Sequence, residues 1–403
     1  MKIHKNLILS IDIGTSSMKV GVFQNTGTMH AFKRYHYDKH QLDWANLEFL
    51  CDFKPSFSQV GIISISAQSP SVVPLLKNGK TGRPLFYFQK NTNLAKENCP
   101  SVFLPKAAYH KKNFPDEYAN TLAYLSLGDY LIYLLTGQRW TSVPQEAYQK
   151  AVWTADQIAA YGLDESKFPP FLFSVEIAGY TRENLPCPPG ICVLGSTYDF
   201  LSALQGLDAL HPYVAGDRSG SSFGLNFFFT EKDMPHIIAQ KPLSELHWNI
   251  YPHAQAHAFN AGIVFPDFDD LLVVLKKELH EEDSQRLLKK ILPSISPDLL
   301  HQNPENISQS FLDLWHRAKG KNALEKAQNV FCDYSRIIRF ILHHWPLDKI
   351  KEIRCSGGPN ENETLLQFKE KATGLPHKLL HVVYAELLGN VYRARDFRQN
   401  INS

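Results

Sequence analysis

Residues 7–23 read Leu-Ile-Leu-Ser-Ile-Asp-Ile-Gly-Thr-Ser-Ser-Met-Lys-Val-Gly-Val-Phe. The apolar run from Leu7 to Ile11 stops at Asp12, the small residues Gly14 to Ser17 follow, and a second apolar run carries Val20 and Val22. That is the pattern of two buried strands joined by a small-residue turn. In such a turn Gly14 can take a positive φ, and successive amide and hydroxyl donors can converge on one point, which suits a phosphate. Asp12, ending a buried strand, is too costly to leave unpaired. A hydrated divalent cation beside the phosphate would satisfy it; an ordinary solvated hairpin turn is the plainer alternative.

Outward from this hairpin, Asn25-Thr26-Gly27 turns the chain into a third strand near Met29 to Phe32. Val60 to Ser66 reads as another buried strand, and it ends at the polar loop Ala67-Gln68-Ser69-Pro70, the place where α/β folds present ligand-binding groups. Val72 to Leu76 and Pro84 to Phe88 read as two further strands, and Ala107 to Gly137 as one helical stretch. Ile191 to Leu194 is a buried strand that runs into Gly195-Ser196-Thr197-Tyr198-Asp199 and a small-residue helix, Leu201 to Gly206. Asp199 is therefore a carboxylate at the mouth of a strand, with a helix-capping role as its alternative.

The opening theme then recurs. Asp217-Arg218-Ser219-Gly220-Ser221-Ser222 precedes Phe223 to Phe229 as Asp12 to Ser17 precedes Met18 to Phe23. Two such loops, each opening half of the chain, suggest duplicated domains that face a shared phosphate. A mostly helical tract follows, with Phe268 to Leu279 and Ala323 to His344 as helices and Pro293 to Asn306 as the linker candidate. Ile350 to Cys355 is a strand, and Ser356-Gly357-Gly358-Pro359-Asn360 a tight loop opening the helix Glu363 to Thr373. Gly357 and Gly358 would let a flat ring such as adenine approach the backbone, although a plain strand-to-helix turn has the same residues. Leu379 to Val383 and Glu386 to Phe397 close the chain as a strand and a helix.

A length of 403 residues suits two domains, and a formal net charge of +2 with scattered Lys and Arg offers no stripe for nucleic acid and no tail for an anionic membrane. The first strand begins almost at Met1 and no apolar run spans a bilayer, so the expected location is the cytoplasm. The six cysteines contain no C-x-x-C pair and read as reduced thiols. His253 and His257 have the spacing of two ligands on a helix, but Pro252 and the apolar alternation around them favour strand and turn over a metal site.

In this order the motifs resemble the FGGY carbohydrate kinases, within the actin-like and sugar kinase superfamily, over nearly the whole chain. Asp12 to Ser17 with Lys19 looks like the family's first phosphate loop, Leu127-Gly128-Asp129-Tyr130-Leu131 through Thr136-Gly137 like its D-Y-L…L-T-G helix, and Gly195 to Asp199 like the segment whose aspartate is the general base. Ser219 to Ser222 looks like the second phosphate loop, Gly357 to Asn360 with Gln367, Ala372, Gly374 and Pro376 like the adenosine-binding segment, and Glu386, Gly389 and Ala394 like the closing helix. The resemblance implies an α/β fold of two ribonuclease-H-like (actin-like ATPase) domains with a central cleft, residues 1–206 and 207–403, the second shortened. It also implies ATP and Mg²⁺, with Asp199 as base and Asp12 ordering the metal's waters. Gly14, Thr15, Ser16, Lys19, Gly220, Ser221, Ser222, Gly357, Gly358 and Asn360 would then bind ATP.

The departures fall on the sugar side. Ser69 and Pro70 stand where family members carry Met-His or Arg-Glu, which leaves Gln68 and Ser71 as donors. Lys90 stands where a carboxylate holds substrate hydroxyls, and the G-E-R-x-P loop is missing after Gly262. The expected substrate side is thus Gln68, Ser69, Ser71, Lys90 and Asp199, with an acidic or phosphorylated sugar suggested by Lys90. Two readings stand: an active kinase with an unusual acceptor, or a diverged member that binds nucleotide or sugar as a sensor or partner protein. The C-terminal helical tract either pairs two copies into a homodimer or covers the second domain.

Overall fold

A computed structural model of the chain describes residues 5–89, 94, 99–220, 222–233, 246, 249–252, 258–344, 347–380 and 384–402. They fall into two compact units, Met1–Gly206 with Glu386–Ser403, and Leu207–Ala385. Each is built on its own sheet.

In the first unit the opening hairpin is β1 (Leu7–Ile13) and β2 (Ser17–Gln24), continued by β3 (Met29–His36) as an antiparallel meander. Every residue of β1 is buried, as is every residue of β4 (Val60–Ala67), which lies parallel to it. A strand covered on both faces is the usual condition for parallel pairing. Four short strands follow: β5 (Val73–Leu76) pairs with β6 (Thr121–Leu125), and β7 (Thr141–Val143) with β8 (Phe171–Phe173). β9 (Ile177–Tyr180), β10 (Cys192–Leu194) and β11 (Thr197–Tyr198) complete the main sheet, whose order is β3-β2-β1-β4-β10-β9 with β11 also on β4.

The second unit repeats this plan. Its strands are β12 (Val214–Ser219), β13 (Phe223–Thr230), β14 (Asn249–Pro252), β15 (Ala258–Phe265), β16 (Glu352–Ser356) and β17 (His377–Leu379), in the order β14-β15-β13-β12-β16-β17. β15, β13 and β12 form the antiparallel meander, and β16 and β17 add in parallel, matching β3-β2-β1 followed by β4 and β10. The duplication legible in two Gly/Ser loops is therefore a duplication of sheet topology. The helix Ala323–Leu342 buries Val330, Phe331, Ile337 and Ile341 against the sheet residues Phe223, Ile263 and Ile353, and its N-terminus is capped by Asn322, whose side chain accepts from Glu325 N at 2.9 Å.

Several expected elements differ. Pro84–Phe88 forms no strand: Leu85 alone exchanges hydrogen bonds with Val72, at 2.8 and 2.9 Å, because Pro84 has no amide to give and Phe86 N turns to the Gln89 side chain. The stretch 107–137 is not one helix but Leu104–Asn113, Pro115–Asn120, β6 and Leu127–Thr136. Pro115 stops the first, and Ser126 caps the last by accepting from Asp129 N at 3.1 Å. The linker candidate, residues 293–306, contains a helical turn, Pro297–Leu300, and is clamped to the long helix: Arg336 donates to Leu299 O at 2.7 Å, and Asp333 accepts from the amides of Glu305 and Asn306. The expected last strand, residues 379–383, lies partly outside the described residues, as do His253 and His257 wholly.

The expected second domain ran to residue 403, whereas the helix Ala385–Asn402 lies in the first unit from Glu386 onward. The reason is visible in β1 and β4. Ser10 and Ser64, both fully buried, donate to Leu387 O and Asn390 O of that helix at 2.9 Å each, and Arg393 donates to Ser64 Oγ at 2.9 Å and Ile65 O at 2.8 Å. Serines inside apolar strands need partners, and the closing helix supplies them.

Among the described residues no helix is long and apolar enough to cross a membrane, and the six cysteines are free thiols.

Candidate active site

Asp12 sits near the carboxyl end of β1 and pairs in register with Ser66 of β4, which in turn pairs with Thr197 of β11. One row across three parallel strands therefore reads Asp12, Ser66, Thr197, with Asp199 two residues beyond as the first residue of the helix Asp199–Gly206. The carboxyl ends of parallel strands are where open α/β sheets bind ligands.

Asp12 is 1 % exposed, and both of its oxygens are engaged: Ser66 Oγ donates to Oδ1 at 2.8 Å and Lys19 Nζ lies 3.2 Å from Oδ2. Burial pushes the Asp12 carboxyl up to about 6, with Lys19 opposing and the nearby charges of Glu386 and Asp199 adding to the rise. Lys19 also reaches Glu386 Oε2, at 3.1 Å. Burial works against its charge, but the two carboxylates more than offset that and hold the ammonium above its ordinary range. The lysine expected to hold phosphate is thus first a bridge between Asp12 and the closing helix.

Behind Ser66 stands Asn390, which donates to Ser66 Oγ and to Ile11 O, each at 3.0 Å, and accepts from Ser202 Oγ at 2.8 Å. Glu386 and Asn390 were missed as the partners of Lys19 and Ser66, the two residues that bond Asp12. The available signal was the set of buried serines at alternate strand positions, Ser64 and Ser66.

In the first loop Gly14 is absent from the positive-φ glycines, so the turn closes without a left-handed residue there. Gly14 N instead donates to Ser17 O at 3.0 Å, and Tyr37 OH donates to Gly14 O at 2.5 Å. Burial, and then Asp12, raise the Tyr37 phenol and keep it a neutral donor. Thr15 Oγ1 donates to Gln68 Oε1 at 3.0 Å and lies 3.2 Å from Tyr87 OH, which brings an expected phosphate ligand and an expected substrate ligand together. Ser16 is exposed, Ser69 half-buried, and Ser71 buried with its hydroxyl accepting from Tyr87 N. Lys90 lies outside the described residues.

Asp199 is half-buried and accepts from Phe200 N at 2.7 Å, so it satisfies its own helix terminus while staying at the strand mouths. The preceding segment is anchored by Asp129 of the D-Y-L helix, 1 % exposed, which accepts from Ser126 Oγ at 2.7 Å, Ser142 N at 3.1 Å and Ser196 Oγ at 3.1 Å. Asp129→Ala strands these donors; Ser196 lies in the loop that leads to Asp199, and Ser142, on β7, accepts from Ser196 N at 3.0 Å. The expected loss is roughly 2–4 kcal/mol in a urea melt, and a loss below about 0.5 kcal/mol would remove Asp129 from that role.

In the second unit the turn between β12 and β13 carries Gly220 and Ser222, with Gly220 N donating to Ser222 O at 2.9 Å; Ser221 lies outside the described residues. A Cβ at Gly220 or Gly358 would meet no atom within 4 Å, so backbone approach is open at both. Gly357 differs. Its φ is +95° and a Cβ there would fall 1.8 Å from Ser219 O, so this glycine serves the contact between the two loops rather than a ligand. Asn360, expected to bind ATP, is fully buried: its amide donates to Ser356 O at 2.9 Å and its oxygen accepts from Lys369 Nζ at 2.8 Å. It holds the loop together.

Among the described residues no three His, Cys, Asp or Glu side chains gather to hold a metal ion. The donor set fits Mg²⁺ carried on a nucleotide's phosphates, since that ion keeps most of its waters and needs only one or two carboxylates. Asp12, with Ser66 and Lys19 already on its oxygens, suits contact through water.

No family model matches the chain. Glycerol kinase of Thermococcus kodakarensis is 21% identical over 448 residues, covering 97% of this chain and 88% of that protein. The xylulose kinase structure from Rhodospirillum rubrum superposes with a TM-score of 0.75 at 14% identity, covering 98% of this chain and 91% of that one. The Plasmodium falciparum glycerol kinase structure, solved with ADP, gives 0.73 at 15% identity over 98% and 90%. The fold is therefore that of the carbohydrate kinases, the actin-like ATPase fold of two sheet domains. Within it, the chain's motif order is similar to that of the FGGY family from the first loop to the closing helix.

Proposed function

We propose that this chain is an ATP-dependent carbohydrate kinase, moving the γ-phosphoryl group of ATP to a hydroxyl of a sugar or sugar derivative. The observation that carries the reading is the row Asp12, Ser66, Thr197 with Asp199 beyond it, at the carboxyl ends of β1, β4 and β11. Phosphoryl transfer needs positioning and charge neutralisation more than covalent help. Asp199 accepts the proton of the attacking hydroxyl as that oxygen bonds phosphorus, and ADP departs with the bridging oxygen's electrons. Asp12 would hold a nucleotide-borne Mg²⁺ through its waters, and the ion would offset charge on the phosphates. Thr15, Gln68 and Ser71 are the acceptor-side groups, Lys19 pairs with Asp12, and Gly220 and Gly358 leave backbone room for the nucleotide.

The test is ADP release from Mg²⁺-ATP across ketoses, aldoses, polyols and sugar acids. Release that depends on one acceptor class is the expected result. No release above the acceptor-free background with any of them, while Mg²⁺-ADP still binds, would replace this reading with that of a nucleotide-binding protein without transfer.

A further inference from the structure

We propose that Lys369 is a positioning residue of the nucleotide site, fixing the second phosphate loop and the Gly357-Gly358 loop as one rigid piece; this rests on the kinase reading above. Lys369 lies in the helix Glu363–Thr373 and is 3 % exposed. Its ammonium has three donors, and all three are matched: Asp217 Oδ2 at 2.8 Å, Ser219 Oγ at 2.9 Å and Asn360 Oδ1 at 2.8 Å. The Phe223 ring centroid lies 4.3 Å from Nζ.

The acceptors come from two separate segments. Asp217 and Ser219 end β12, the strand that leads into Gly220 and Ser222; Asn360 belongs to the turn Gly358–Glu361. Ser219 Oγ also donates to Asp217 Oδ1 at 2.8 Å, and the Asn360 amide lies 3.4 Å from the same oxygen. The two loops touch at Gly357 and Ser219, and Lys369 bonds to both sides of that contact. Although burial pushes the Asp217 carboxyl up, Lys369 holds it below its ordinary range.

Stability alone does not account for this arrangement. The other buried residues of the Lys369 helix are Leu365, Phe368, Ala372 and Thr373, and replacing a buried ion pair with apolar side chains of similar volume is often neutral or stabilising. What the ion pair adds is a unique relative position for the two loops.

The experiment measures Mg²⁺-ADP affinity by calorimetry and melting temperature for the parent, the neutral double variant Asp217→Asn/Lys369→Met, and Lys369→Arg. The double variant leaves no buried charge unpaired and is expected to melt within a few degrees of the parent, yet to bind ADP about tenfold more weakly, or 1.4 kcal/mol. Lys369→Arg keeps the charge but replaces a point donor with a planar fork that cannot meet the same three acceptors. It is expected to lose affinity with little change in melting, and it supplies the answer if the double variant does not fold. In turnover assays the loss should fall on KM for ATP and not on KM for the acceptor. Either variant folding normally and binding ADP as the parent does would overturn the role of Lys369 alone. A parent that does not bind Mg²⁺-ADP would overturn the nucleotide reading with it.

Discussion

Asp199→Asn is expected to lower phosphoryl transfer by about 10²–10⁴-fold, the range that one positioned general base supplies, with ADP affinity and melting temperature close to the parent's. The amide keeps an oxygen where Oδ1 accepts from Phe200 N at 2.7 Å, so the first turn of the helix Asp199–Gly206 retains its bond. What is lost is basicity. Removing the carboxylate also removes one of the charges that raise Asp12, so the Asp12–Lys19 pair is eased. The loss should therefore appear in kcat, measured with the acceptor that gives the most ADP. Turnover equal to the parent's would show that Asp199 only caps its helix.

Gly389→Ala is expected to be the most damaging small substitution in the closing helix. A Cβ at Gly389 would lie 1.8 Å from Ser202 O and 2.6 Å from Ser202 C, backbone atoms of a second helix that have no rotamer by which to move away. Overpacking of a well-filled interior costs about 1–3 kcal/mol and occasionally more, and this contact belongs at the upper end. For a unit of this size, about 3 kcal/mol corresponds to a melting temperature lower by roughly 6–12 °C. The strain should also reach Asp12, because the next residue, Asn390, bonds to both Ser202 Oγ and Ser66 Oγ. A scanning-calorimetry shift of less than a degree would mean that the helix does not pack on Ser202 as described.

The two hairpins were legible because their signals are local. Short apolar runs flank Gly14-Thr15-Ser16, a similar run follows Ser219-Gly220, and β1/β2 and β12/β13 form there. Asp12 and Asp199 could be singled out as candidates for the same reason: Asp12 ends the apolar run of β1, and Asp199 follows Ile191 to Leu194 by way of Gly195 to Tyr198. The region between them was misread where pairing is non-local. Leu122 and Leu125 fit a helical face, yet Thr121–Leu125 is a strand because β5, about fifty residues earlier, offers it an edge.

Lys369 was invisible for a stronger reason. A lysine on an amphipathic helix reads as solvated, and its partner Asp217 is 152 positions away. The closing helix was recognised as a helix but placed with the wrong sheet, since only Ser10, Ser64 and Ser66, polar groups inside buried strands, hinted that something polar must cover β1 and β4.

The central claim is tested most directly by mass spectrometry of the acceptor after incubation with Mg²⁺-ATP and the enzyme, with ADP measured in the same vessel. The account predicts that one acceptor class gains one phosphoryl group per ADP formed, and that Asp199→Asn slows both together. ADP formed while no acceptor gains mass, or transfer that persists at the parent's rate in Asp199→Asn, would contradict it.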